Sequence, residues 1–111
     1  MISTHVLDTS RGRPAAAVPV VLEAIDPSGA SRELGRHATD ADGRVRELAP
    51  DGALGAGTYR LTFDTGAYFR ALGAEPFYPT VSVVFVVADP TQHHHVPLLL
   101  SPFGYSTYRG S

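Results

Sequence analysis

Apolar positions along the chain recur at a period of two far more often than at the helical period. Val81, Val83, Phe85 and Val87 alternate with Ser82, Val84, Val86 and Ala88, and in a strand these two sets point to opposite faces. Short β-branched runs bounded by Gly, Pro, Asp and Ser repeat the pattern, predicting strands over 2–7, 18–25, 31–38, 44–48, 57–64, 80–87, 93–100 and 105–109. Asp26-Pro27-Ser28-Gly29 and Asp40-Ala41-Asp42-Gly43 supply turns between them, because Asp side chains bond nearby amides and Gly accepts positive φ. One segment departs from this pattern. Phe69 and Leu72 lie three apart and Gly73 follows, which predicts a two-turn helix over 65–73, and Pro76 and Pro79 then force an extended return. The fold class this predicts is an all-β sandwich with one short helix.

Both faces of the 80–87 strand are largely apolar, whereas a small sandwich buries only one face of each sheet. The second face therefore calls for a partner, most economically another copy of the chain. Leu98-Leu99-Leu100 points the same way, since a strand cannot hide three consecutive leucines on one side.

With 111 residues the chain fits a single domain spanning 1–111. It has no cysteine, which excludes disulfides, thiolate metal sites and thiol nucleophiles. A net charge of -2 gives no electrostatic case for nucleic acid or an anionic membrane. No basic segment followed by a long apolar run opens the sequence, and the longest apolar stretches are far shorter than a bilayer span, so the expected compartment is the cytoplasm.

The polar candidates are His5, His37, His93, His94, His95, Arg44 and the final Tyr108-Arg109-Gly110-Ser111. His5 lies inside an apolar strand, where an imidazole is either a structural group bonded to a carbonyl or an acid or base. His93 and His95 share one strand face while His94 points the other way. That pair could chelate zinc with His5 as a third ligand, leaving a position for water. The simpler reading is a polar strand start before Pro97 with an exposed His94, because no Cys, acidic cluster or second such pair completes a metal set. Arg44 follows the Asp42-Gly43 turn and either ends a hairpin in solvent or presents its planar guanidinium to a carboxylate or an oxygen-bearing heterocycle. His37 and Arg46 read as surface. Strand-forming Tyr105, Thr107 and Tyr108 predict that the final residues are docked, with the Ser111 hydroxyl and carboxylate at a defined place.

Ser3-Thr4-His5-Val6-Leu7-Asp8, Gly12-Arg13-Pro14, Asp42-Gly43-Arg44, Thr65-Gly66-Ala67-Tyr68-Phe69 and the whole run from His95 to Ser111 resemble the transthyretin-related 5-hydroxyisourate hydrolases. The closing Tyr-Arg-Gly-Ser is the most specific of these motifs. The resemblance implies a two-sheet antiparallel β-sandwich assembled as a homotetramer, in which edge strands pair into dimers and two dimers stack around a channel. It also implies cofactor-free hydrolysis of 5-hydroxyisourate to 2-oxo-4-hydroxy-4-carboxy-5-ureidoimidazoline in urate catabolism. The family's catalytic set falls on His5, Arg44, His95 and Ser111, and its substrate-binding set adds Tyr108, Arg109 and Gly110. Tyr108 and Ser111 are expected to close the pocket. One histidine would take a proton from the attacking water and the other would protonate the opening ring. His94 stands where the family usually has an aromatic, commonly Tyr. Two rivals compete with this reading: a small-ligand carrier like transthyretin, and a structural or adhesive sandwich. The first lacks this polar set in its channel, and the second would not need it.

Overall fold

The computed structural model describes residues 1–49, 52 and 54–111. Their elements are β1 (Ile2–Asp8), β2 (Arg13–Pro14), β3 (Pro19–Ile25), β4 (Ser31–Ala38), β5 (Arg44–Val45), β6 (Gly57–Phe63), α1 (Thr65–Ala71), β7 (Val81–Val87), β8 (His94–Ser101) and β9 (Gly104–Thr107). One sheet runs β2-β1-β8-β9, with β5 also paired to β1, and the other runs β4-β3-β6-β7. β2 and β5 share the outer edge of β1: β5 pairs with Thr4 and His5, and β2 with Leu7 and Asp8.

The sandwich, the helix and the strand positions follow the period-two reading closely. The strand expected over 44–48 stops at Val45, because Leu48 turns into the core and its amide bonds the Ile2 carbonyl at 3.0 Å. The two-residue β2 was not expected, being too short to show a period. Pairing is antiparallel except between β1 and β8, which run parallel over seven residue pairs from Ile2↔His94 to Asp8↔Leu100. Alternation carries no information about such a distant pairing.

The core between the sheets holds Val6, Val20, Leu22, Leu61, Phe63 and Leu98, all fully buried. On β7, Val81 and Val87 are buried and Val83 and Phe85 pack against the core, whereas Val84 and Val86 are 59% and 67% exposed. The second apolar face is thus real and uncovered. Of the three leucines, Leu98 and Leu100 point inward, and Leu99 sits half-buried on the outer face opposite Leu7.

Helix α1 starts where Asp64 accepts a hydrogen bond from the Ala67 amide at 3.0 Å, a side-chain cap for an otherwise unpartnered donor. It ends before Gly73, whose φ of 75° an L side chain adopts only with strain. Its buried Tyr68 donates to the Asp8 carboxylate at 2.7 Å, fastening the helix to β1.

One side chain departs from expectation. His94 is only 6% exposed, and not the solvent-facing residue that a polar strand start suggested. Alternation along β8 turns it inward with Val96, and its Nδ1 lies 3.0 Å from the Gln92 carbonyl, which satisfies the buried ring.

Candidate active site

Register places the candidate residues together. Ser3, His5 and Leu7 occupy the outer face of β1, and their partners on β8 are His95, Pro97 and Leu99. Across the other edge of β1, His5 pairs with Arg44 of β5. Partners in register project to the same side of a sheet, so His5, His95 and Arg44 share one face, drawn from three segments far apart in sequence. Arg44 is held there by its turn. Asp40 accepts bonds from the amides of Asp42 and Arg44, both at 2.9 Å, and Gly43 takes the φ of 76° that closes the loop.

The final residues are docked, as expected. Pro97 has no N–H to give β9, and its carbonyl accepts from the Thr107 hydroxyl at 2.7 Å, so the ladder breaks opposite Tyr108. It resumes in the same register where the Gly110 amide donates to the His95 carbonyl at 2.8 Å. A Cβ on Gly110 would lie 2.5 Å from His95 Cδ2, so only glycine lets the tail pass this close to the imidazole.

A cleft of about 430 Å³ opens here, lined by Ser3, Arg44, Arg46, His93, His95 and Ser111 among others. Not every expected residue reaches it. Tyr108 and Arg109 border a separate hollow of about 290 Å³ with Val86, His94 and Val96, and Tyr108 is largely exposed. In the single chain the tail therefore brings Ser111 to the cleft and holds Gly110 against His95, while Tyr108 does not close that cleft.

Two lining residues, Ser3 and Arg46, were not singled out in the sequence reading, and His93 was weighed there only as a metal ligand beside His95. A signal existed for each, since Arg44 and Arg46, Ser3 and His5, and His93 and His95 are pairs two apart. The Ser3 hydroxyl stands 2.7 Å from His93 Nε2 and 2.8 Å from His95 Nδ1. Both rings turn to that hydroxyl. Among the described residues no group of three or more His, Cys, Asp or Glu is placed to hold a metal ion.

The electrostatics follow from this crowding of cations. Burial lowers the pKa of His95 below its ordinary value, and the nearby charges of Arg44, His93 and His5 lower it further. Arg44 has no ion-pair partner among the described residues, where the salt bridges are Arg36 with Glu33 and Arg60 with Glu23. The cleft thus combines an unpaired guanidinium with an imidazole that stays neutral at pH 7, a donor for developing negative charge beside a proton acceptor.

Residues 2–110 match the HIUase/Transthyretin family over nearly the full chain. The chain belongs to this family. The 5-hydroxyisourate hydrolase of Mus musculus is 46% identical over 111 residues, covering 99% of this chain and 94% of that protein. The structure of Klebsiella pneumoniae 5-hydroxyisourate hydrolase superposes with a TM-score of 0.86 at 39% identity, covering 99% of this chain and 98% of that one. Sea bream transthyretin, solved in complex with thyroxine, gives a TM-score of 0.92 at 33% identity, covering 98% and 93%. The HIUase/Transthyretin sandwich is therefore common to a hydrolase and a thyroxine-binding protein, and the residues of the cleft have to separate the two.

Proposed function

We propose that this chain hydrolyses 5-hydroxyisourate to 2-oxo-4-hydroxy-4-carboxy-5-ureidoimidazoline in urate degradation, with His5, Arg44, His95 and Ser111 as its catalytic set. The observation that carries the assignment of roles is the meeting of Arg44, His95 and Ser111 in one cleft, with burial keeping the His95 ring deprotonated. His95 takes a proton from water as its oxygen attacks the carbonyl carbon of the scissile cyclic amide. Arg44, free of a carboxylate, offers parallel N–H donors to the heterocycle and to the oxyanion that forms. As the carbon–nitrogen bond breaks, His5 supplies the proton to the departing nitrogen. Ser111 holds water or substrate, and Gly110 keeps the tail against His95. Tyr108 and Arg109 act on substrate from the far side of the tail, in the assembled protein.

That assembly is a homotetramer in the cytoplasm: β7 and β9 pair with their copies, and two dimers stack on the face carrying His5 and His95. The exposed Val84 and Val86 and the half-covered Leu7 and Leu99 support it. The reaction uses no cofactor. A carrier role rests on the shared sandwich alone, since a cleft furnished with Arg44 and His95 is built for proton transfer.

The test is the decay of 5-hydroxyisourate freshly made by urate oxidase. The wild-type protein accelerates it, and His5→Ala, Arg44→Ala, His95→Ala and a variant lacking Gly110 and Ser111 each lose about 10² to 10⁴ in rate. A folded wild-type protein that leaves the spontaneous decay unchanged overturns the assignment.

A further inference from the structure

Beside His95 the cleft holds a second histidine, His93, and a serine, Ser3, for which the hydrolytic scheme above has no use. Ser3 is 5% exposed, and its hydroxyl bridges His93 Nε2 and His95 Nδ1 at 2.7 and 2.8 Å. A hydroxyl owns one proton, so it donates to one ring while accepting from the other. The two imidazoles are therefore not independent. His93 is exposed to solvent, whereas the His95 ring is packed against Gly110.

We propose that Ser3 and His93 form a proton relay behind His95, which fixes the tautomer of His95 and carries its proton to solvent. The relay rests on His95 acting as the base. In the resting state His95 Nδ1–H donates to Ser3 Oγ and the Ser3 hydroxyl donates to His93 Nε2. His95 Nε2 is then unprotonated and is the nitrogen free for water. When Nε2 accepts the proton of the attacking water, the Nδ1 proton moves to Ser3 Oγ as the Ser3 proton moves to His93 Nε2. No charge is created or lost: the imidazolium passes from His95 to His93, which releases a proton to bulk water. Once product has left, the Nε2 proton of His95 goes to solvent while a proton taken up at His93 returns through Ser3 to Nδ1 and restores the resting tautomer. Ser3 and His93 are positioning residues, acting on substrate only through His95.

The charged and titratable side chains around the His95 ring favour this direction of transfer. Arg44 on β5, Arg46 just beyond it, His5 on β1 and His93 before β8 are all bases or cations, and the Ser111 end of the tail lies in the same cleft. Among the described residues no acidic side chain lines the cleft to hold the proton on His95. An imidazolium there is repelled from several sides, and moving the charge to the solvent-exposed ring relieves it.

The experiment uses the full chain with 15N-labelled histidine, comparing wild type, Ser3→Ala, Ser3→Thr and His93→Gln by NMR and by decay of 5-hydroxyisourate. His95→Asn identifies the His95 signals. The wild-type spectrum at neutral pH shows His95 protonated at Nδ1. Ser3→Ala moves both His95 nitrogens toward a tautomer mixture and lowers kcat about tenfold or more with KM within twofold, and Ser3→Thr restores both. Ser3→Ala removes no charge, so these changes report the hydrogen bond and not the local field. His93→Gln, at an exposed position, lowers kcat similarly and recovers with free imidazole in the buffer, whereas Ser3→Ala does not. Unchanged His95 nitrogens in Ser3→Ala, or an undiminished kcat in His93→Gln, overturns the relay. If His95→Ala is inactive while Ser3→Ala leaves the nitrogens unmoved, the relay alone falls; a fully active His95→Ala removes the base and the relay with it.

Discussion

In the proposed reaction Arg44 acts twice on the same chemistry. Its charge helps to hold His95 deprotonated, after burial, which is the larger influence, and its guanidinium meets the oxyanion. These two roles have separable signatures. A base works in its unprotonated form, so activity persists above the pKa of His95 and falls as pH drops through it, below the ordinary histidine value of about 6.5. Arg44→Gln removes one of the repelling charges and lets that pKa rise. Its pH–rate profile should show the acid limb displaced to higher pH together with a plateau lowered by about 10². A lowered plateau with an unmoved limb would mean that Arg44 does not influence His95. Gly110 belongs to the same scale, as it was legible from sequence only as part of a motif. Its reason for being glycine is the His95 ring beside it, seen only once the tail is folded back.

At the level of elements, the attachment of α1 to β1 is the clearest structural dependence. Burial raises the pKa of Asp8, but hydrogen bonds from the Ser10 hydroxyl, Tyr68 and the amides of Arg11 and Ser10 outweigh it and leave the carboxyl below its ordinary value. A group lowered in this way contributes stability above the unfolded-state pKa, near 3.9, and that contribution is lost as pH falls through the native value. Tyr68→Phe deletes one charge-assisted bond and should cost about 2 kcal/mol. Urea unfolding at neutral pH measures the loss, and acid unfolding should begin at a higher pH than in wild type. A variant with wild-type stability and acid midpoint would show that the helix is held by packing of Phe69 alone. The helix was visible in the sequence from Phe69, Leu72 and Gly73. Its anchor was not, because Tyr68 and Asp8 are sixty residues apart and no local pattern relates them.

For the whole molecule, the uncovered faces make assembly the main question. Val84 and Val86 stand out from an edge strand, where lysine opposes pairing with another chain. Val84→Lys combined with Val86→Lys should leave the core untouched and sediment as the 11.8 kDa monomer, while the wild type should sediment as the proposed tetramer. The proposed tetramer stacks on the face bearing His5 and His95, so the monomer should lose most of its activity. A monomeric variant with full activity would place the complete site within one chain.

Much of this architecture needed nothing but local pattern. Period-two alternation decides which side of each strand is apolar, and Asp-Gly turns and a closing glycine decide where strands and helix stop; these are interactions between residues a few positions apart. Arg44, His5 and His95 were legible as candidates as well, from residue type and motif. Their meeting was a tertiary matter. It depends on the parallel pairing of β1 with β8, on β5 lying beside His5, and on a tail that rejoins β8 past Pro97. Such long-range pairings are selected by the burial of whole faces, which no segment can achieve alone. The inward turn of His94, the place of Ser3 between two imidazoles, and the separation of Tyr108 from Ser111 all follow from that packing, because a side chain's neighbours are set by register between strands distant in the chain.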